Sequence, residues 1–300
     1  MSDQISTFAL GTTASVALCL AGVLTAAPAH AATAACRAAK APRQAFTMRV
    51  PFEVIDGRIY IQATVNDRGP FKFAVDTGAS GLGRADTSLV STLGLKPEAP
   101  ALNADGVKTA EAATVRIRSI AVGGLSQRDV RVITKDYSGR MSPESAFSGI
   151  VAREFFADGL LVIDYPRKLL SFSRTLTLSP GQKDVVSYER PFRVPISVGA
   201  ITTEGNIDTG SNVTFVFPKT LFDRVSKAPL ELAGTGQLAN SKIDTWRSTV
   251  PGPIRIGGVA MSNAEVRVSA QFPELLVGAH ALKNFTLLID QRSKAVALCK

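Results

Sequence analysis

Two copies of one short pattern constrain this chain more than anything in its composition. Asp76-Thr77-Gly78 ends the alternating run Phe71-Lys72-Phe73-Ala74-Val75, and Asp208-Thr209-Gly210 ends Gly205-Asn206-Ile207, 132 residues later. One Asp-Thr-Gly alone is an ordinary turn sequence, met by chance in roughly one chain of this length in twenty. Here the context repeats with it. Thirteen residues past each Asp stands a Leu in a short helical pattern, Leu89 in the first half and Leu221 in the second. Strand pairs turning on a double glycine follow, at Gly123-Gly124 and at Gly257-Gly258. The alternating segments Val130-Arg131-Val132 and Val266-Arg267-Val268 come next, as half-buried strands do.

Each half also ends alike. Gly149-Ile150-Val151-Ala152 corresponds to Leu275-Leu276-Val277-Gly278, with Ile163-Asp164 and Ile289-Asp290 at equal offsets after them. This order of features predicts two duplicated lobes, residues 46–174 and 188–300, joined by a connector over residues 175–187. Short alternating strands punctuated by Gly and Pro predict an all-β fold with a few short helices.

The N-terminal segment reads differently. No charged residue occurs between Gln4 and Ala35, and Ala29-His30-Ala31 forms a small-x-small cleavage site. Residues 1–31 are therefore expected to be a signal peptide, and the protein periplasmic or secreted. Asp3 and the lack of a basic residue before the apolar stretch keep an uncleaved anchor as the alternative. Residues 32–45 read as an Ala-rich tail. Cleavage would remove Cys19 and leave Cys36 and Cys299, which are expected to pair in an oxidising compartment. The alternative makes Cys36 a lipid attachment site.

The duplicated pattern resembles the pepsin-like and retropepsin-like aspartic peptidases, especially bacterial predicted members with both lobes in one chain. The resemblance spans essentially residues 46–300. It rests on Asp76-Thr77-Gly78-Ala79, on Asp208-Thr209-Gly210-Ser211, and on the apolar-apolar-glycine segment late in each lobe. Leu276-Val277-Gly278 fits that segment, whereas Ile150-Val151-Ala152 has Ala in place of Gly. The resemblance implies a bilobal acid-protease fold of two β-barrel-like lobes, with Asp76 and Asp208 as the catalytic pair between them. It also implies that Thr77 and Thr209 bond across the lobe junction, and that Gly78 and Gly210 let N–H groups turn towards the carboxylates. Ser211 would bond the outer oxygen of Asp208, while Ala79 has no hydroxyl for Asp76; on that basis Asp208 would hold the negative charge. A hairpin flap is expected over Leu102 to Val115, turning at Asn103-Ala104-Asp105-Gly106, with Asp105 and Gly106 against substrate. Its second-lobe counterpart, Gly234 to Val250, carries Trp246, which would line the cleft or pack.

The chemistry accounts for the residue types. Two carboxylates held close cannot both ionise, so one serves as base towards a water while the other keeps a proton to donate. Other chemistries lack their residues. His280 is the only His beyond residue 31, and no His-x-x-x-His or paired Cys spacing supplies a metal site, so neither metal nor cofactor is expected. The net charge of +9 comes from Lys and Arg spread along the chain, which reads as a solvated surface rather than a nucleic-acid site. Asn212-Val213-Thr214 is a glycosylation sequon too close to Asp208 to be read as modified. The expectation is a monomeric exported endopeptidase acting on a peptide or protein substrate, with no stable membrane partner after signal cleavage. A peptide-binding module without turnover, and a maturation protease for one docked partner, are the alternatives.

Overall fold

The structure, a computed structural model, describes residues 33–139 and 141–300. The expected signal segment therefore lies outside the described residues. Almost every element is a strand, as the short alternating runs require, and the strands form three sheets.

The first lobe is built on an eight-stranded sheet. From one edge its order is Glu53–Ile55, Arg58–Val65, Arg68–Asp76, Gly149–Ala152, Gly83–Asp86, Leu125–Lys135, Thr109–Val122 and Pro97–Ala104. The second lobe repeats the central part within nine strands, where Ile201–Asp208, Leu275–Gly278, Phe215–Pro218 and Ala264–Ser269 lie side by side. The repeat extends to register. Asp76 lies beside Ala152 in a parallel pair, and Asp208 lies beside Gly278 in another. Gly83 then pairs antiparallel with Val151, and Phe215 with Val277. The double glycines close tight turns, Val122 facing Leu125 and Ile256 facing Val259. Gly123 and Gly257 hold φ of +56° and +54°, a region that favours glycine.

The helical patterns are single short helices, Thr87–Leu93 and Lys219–Val225, and Leu89 and Leu221 are buried against the sheets. Asp86 caps the first by accepting from Ser88 N, and Gly94 ends it in the left-handed region.

A third sheet of six strands is shared by both halves. Leu160–Asp164 and Thr286–Asp290 run antiparallel down its middle, with Leu160 opposite Asp290 and Asp164 opposite Thr286. The pseudo-two-fold axis relating the halves thus passes by Val162 and Leu288. Every residue of Leu160–Asp164 and of Ala295–Cys299 is buried. Leu161, Ile163, Leu287 and Ile289 face the main core, while Leu160, Val162, Leu288 and Ala297 face the other way. That second face would meet water without a cover. The segment expected to be an Ala-rich tail supplies the cover instead: Ala34–Ala38 is a helix, Ala35 is buried against this face, and small side chains allow close approach. Cys36 is joined to Cys299 in the last strand.

Candidate active site

Each Asp-Thr-Gly loop begins where a buried strand ends. Phe73, Ala74 and Val75 are buried, and the chain turns at Asp76, whose Oδ1 accepts from Gly78 N at 2.8 Å and Ala79 N at 2.9 Å. Ile207 is likewise buried before Asp208, whose Oδ1 accepts from Gly210 N at 2.8 Å. The two carboxyl groups face each other across the junction, close enough for the Asp76 charge to act on Asp208.

Close approach makes both glycines necessary. A methyl group on Gly78 would stand 2.5 Å from Asp208 Cγ, and one on Gly210 would stand 2.4 Å from Asp76 Cγ. Each lobe's glycine thus packs against the other lobe's carboxyl group. Thr77 and Thr209 are buried between the loops. Thr77 N donates to Thr209 Oγ1 at 3.1 Å and Thr209 N to Thr77 Oγ1 at 3.0 Å. Their hydroxyls donate to the Ile207 and Val75 carbonyls.

The pair is chemically uneven, in the sense opposite to the sequence expectation. Ser211 N lies 3.4 Å from the main-chain oxygen of Asp208, the Ser211 carbonyl accepts from Ala279, and no hydrogen bond joins Ser211 Oγ to the Asp208 carboxyl. Asp208 therefore receives one N–H where Asp76 receives two. Burial and the Asp76 charge push the Asp208 carboxyl far above the usual carboxylate range, against the pull of Gly210 N–H and of the Arg58 cation. Burial and a single N–H donor favour the protonated form of Asp208. The Ser211 hydroxyl that suggested the reverse does not reach the Asp208 carboxyl, whose state is set first by burial and then by the Asp76 charge.

Ala152 is accommodated by a second exchange of size. Gly278 has no room for a methyl group, which would meet Val213 O at 2.2 Å. At the position matching Val213 the first loop has Gly81, with φ +80°, and Ala152 is buried beside that loop with its N–H donating to Leu82 O at 3.1 Å.

Arg58, unmarked in the sequence reading, crosses the junction from the first lobe. Its Nε donates to Gly210 O at 2.7 Å and its Nη2 to Asn212 Oδ1 at 3.1 Å. Asn212 Nδ2 donates to Asp56, and Asp56 also meets His280 Nε2 at 3.3 Å. Both ends of the Asn212 amide are thus occupied by the first lobe. The 18-residue spacing of Arg58 before Asp76 offered no signal by itself, because its partners lie over 150 residues away.

The expected flap is a hairpin of Pro97–Ala104 and Thr109–Val122, but its turn is Asp105–Lys108 rather than Asn103–Gly106. Asp105 Oδ1 accepts from Val107 N and Lys108 N, which shifts the turn towards the C-terminus. The second lobe has a matching hairpin, Glu231–Gln237 with Lys242–Val250. The two tips are tied together. Asp105 Oδ2 accepts from Asn240 N at 2.7 Å and Ser241 Oγ at 2.8 Å, and Asn240 Nδ2 donates to Asn103 O at 2.6 Å. Lys135 Nζ adds a bond to Ala239 O. Asp105 is thereby a link between hairpins, with both oxygens committed to the protein. Gly106, φ +86°, lies over Phe272 of the second lobe. Trp246 is half-buried between Leu232 and Val268 on neighbouring strands, on the face opposite Ile243.

Residues 61–155 match the family model described as aspartyl protease. That stretch contains the Asp76 loop, the first hairpin and the Gly149–Ala152 strand. A comparison with curated proteins finds no match. The all-β architecture is consistent with an aspartic-protease-like fold, and the match supports protease function in general terms.

Proposed function

We propose that the chain is an exported aspartic endopeptidase whose hydrolytic water is held by Asp76 and Asp208 within one molecule. The observation that carries this reading is the pair of carboxyl groups brought together by two matched loops, each held by main-chain N–H groups, with Asp208 raised above its ordinary pKa. Such a pair holds one proton between two acids, so one can act as base and the other as acid in amide hydrolysis without a metal. Asp76, with two N–H donors on one oxygen, acts as base. It takes a proton from water as the oxygen attacks the peptide carbonyl, and Asp208 gives its proton to the carbonyl oxygen. Collapse of the tetrahedral intermediate then breaks the C–N bond, with a proton delivered to the leaving nitrogen.

The Cys36–Cys299 disulfide supports an oxidising destination, in keeping with the small-x-small site at Ala29-His30-Ala31. Because both acids come from one chain, the site needs no second copy. The test is incubation of the chain with a mixed peptide library, with and without pepstatin. Cleavage blocked by pepstatin is expected; pepstatin binding with no products would favour a peptide-binding module instead.

A further inference from the structure

The two walls of the cleft are built from matching positions and carry unlike chemistry. In the first lobe, Ala74 lies two residues before Asp76 and so shares its face of the strand. Its neighbours across the sheet are Tyr60 on one side and Ile150 on the other. These three form a buried apolar cluster, with Ala79, Tyr137 and Phe147 packed against it. The Tyr60 and Phe147 rings lie 6.2 Å apart.

In the second lobe Asn206 stands where Ala74 stands in the first. Its neighbours are Arg193, in the place of Tyr60, and Leu276, in the place of Ile150. Arg193 grips Glu274 with Nε at 2.7 Å and Nη2 at 2.9 Å, each side chain retaining 23% exposure. Its third nitrogen donates to Pro191 O. Asn206 Oδ1 is buried and accepts no hydrogen bond. The first lobe's hairpin comes down on this wall. A Cβ on Gly106 would lie 3.5 Å from the Phe272 ring and 3.9 Å from Glu274 Oε1. The ion pair and the unpaired amide are therefore beneath the roof and on the carboxyl-bearing face.

We propose that the cleft takes a large apolar side chain against Tyr60, Phe147 and Ile150, and across the scissile bond a side chain that donates a hydrogen bond to Asn206. This inference rests on the peptidase reading above. An apolar side chain at the second position would leave the amide oxygen unpaired and strip water from the Arg193–Glu274 pair. A neutral amide such as Gln satisfies the oxygen without adding charge beside that pair. Sites with a buried polar group reject ligands that cannot bond it more strongly than apolar pockets reject a missing methylene.

The test uses the full chain and four peptides in one common frame, with Phe-Gln, Gln-Phe, Phe-Leu or Leu-Phe at the centre. Cleavage of each is read as kcat/KM, and reduced-bond versions that cannot be cut are read by affinity. In one of the two orders, Gln should exceed Leu by about tenfold or more. Asn206→Leu should remove or reverse that ratio. If this variant does not fold, the double variant Arg193→Met with Glu274→Met gives the same reading, with the preference shifted towards Leu. Leu equal to Gln in both orders, or a ratio unmoved in the variants, overturns the side-chain assignment while leaving the peptidase reading intact. Gln-selective binding of the reduced peptides with no cleavage of the others refutes the peptidase reading alone. Neither cleavage nor binding refutes both.

Discussion

Thr77 and Thr209 each donate the main-chain N–H to the other's hydroxyl, and each hydroxyl passes its own proton back to the other lobe's strand. Four buried hydrogen bonds therefore fix the two Asp loops against each other. Thr209→Val keeps the shape but strands Thr77 N and the Val75 carbonyl. Each stranded group costs about 1–3 kcal/mol, so a clear fall in the urea midpoint is expected, together with loss of activity. Thr209→Ser keeps the hydroxyl and should retain most of both.

The exchange of sizes behind the loops makes an asymmetric prediction. Gly278→Ala drives a methyl group into the Val213 backbone. The strand or the loop must shift, at about 1–3 kcal/mol, and a displaced Asp208 should lower kcat by about 10–100-fold. Ala152→Gly, the change that makes the lobes alike, removes only a tolerated methyl and should cost about 1 kcal/mol or less. Equal damage from both substitutions would contradict the difference in room behind the two loops.

The raised pKa of Asp208 ties stability to pH. Below the unfolded pKa, about 4, the group is protonated in both states and carries no penalty. As pH rises from there to the higher folded value, the folded state binds the extra proton and stability falls. Asp208→Asn cannot ionise and should escape that loss. Denaturation at pH 7 should find the variant more stable than the natural chain, with the difference closing as pH falls to about 4. A difference independent of pH would contradict the assignment of the proton to Asp208.

Closing the chain near both ends, the Cys36–Cys299 bond restrains a very long loop in the unfolded state. Replacing both cysteines by Ser should lower stability by about 2–4 kcal/mol and loosen the helix Ala34–Ala38 from the shared sheet. Intact-mass measurement of the natural chain should find the oxidised pair; two free thiols would contradict it.

Much of this was legible beforehand because the duplication made each half a check on the other. The paired Asp loops, Leu89 and Leu221, the glycine turns and the closing strands all appear in matched register. Periodicity reports which residues are buried, and repetition reports which loops are equivalent. Neither reports contacts between unlike positions of the two halves. Arg58 with Asn212, and Asp105 with Asn240, join residues more than 130 apart through side chains common in surface turns. The charge balance within the pair was misread for a related reason. Ser211 supplies a hydroxyl in the sequence, whereas the state of Asp208 is set by its burial and by the neighbouring Asp76 charge. Trp246 was singled out for being the only Trp, but its strand position puts it on the face away from Ile243.

The central claim is that one proton is shared by Asp76 and Asp208 of a single chain to hydrolyse peptides. It is tested most directly by pepstatin-sensitive cleavage in Asp76→Asn, in Asp208→Asn, and in an equimolar mixture of the two. Each variant should be folded and inactive, and the mixture should stay inactive, because neither chain holds both acids. Cleavage retained by either variant, or recovered on mixing, would contradict the account.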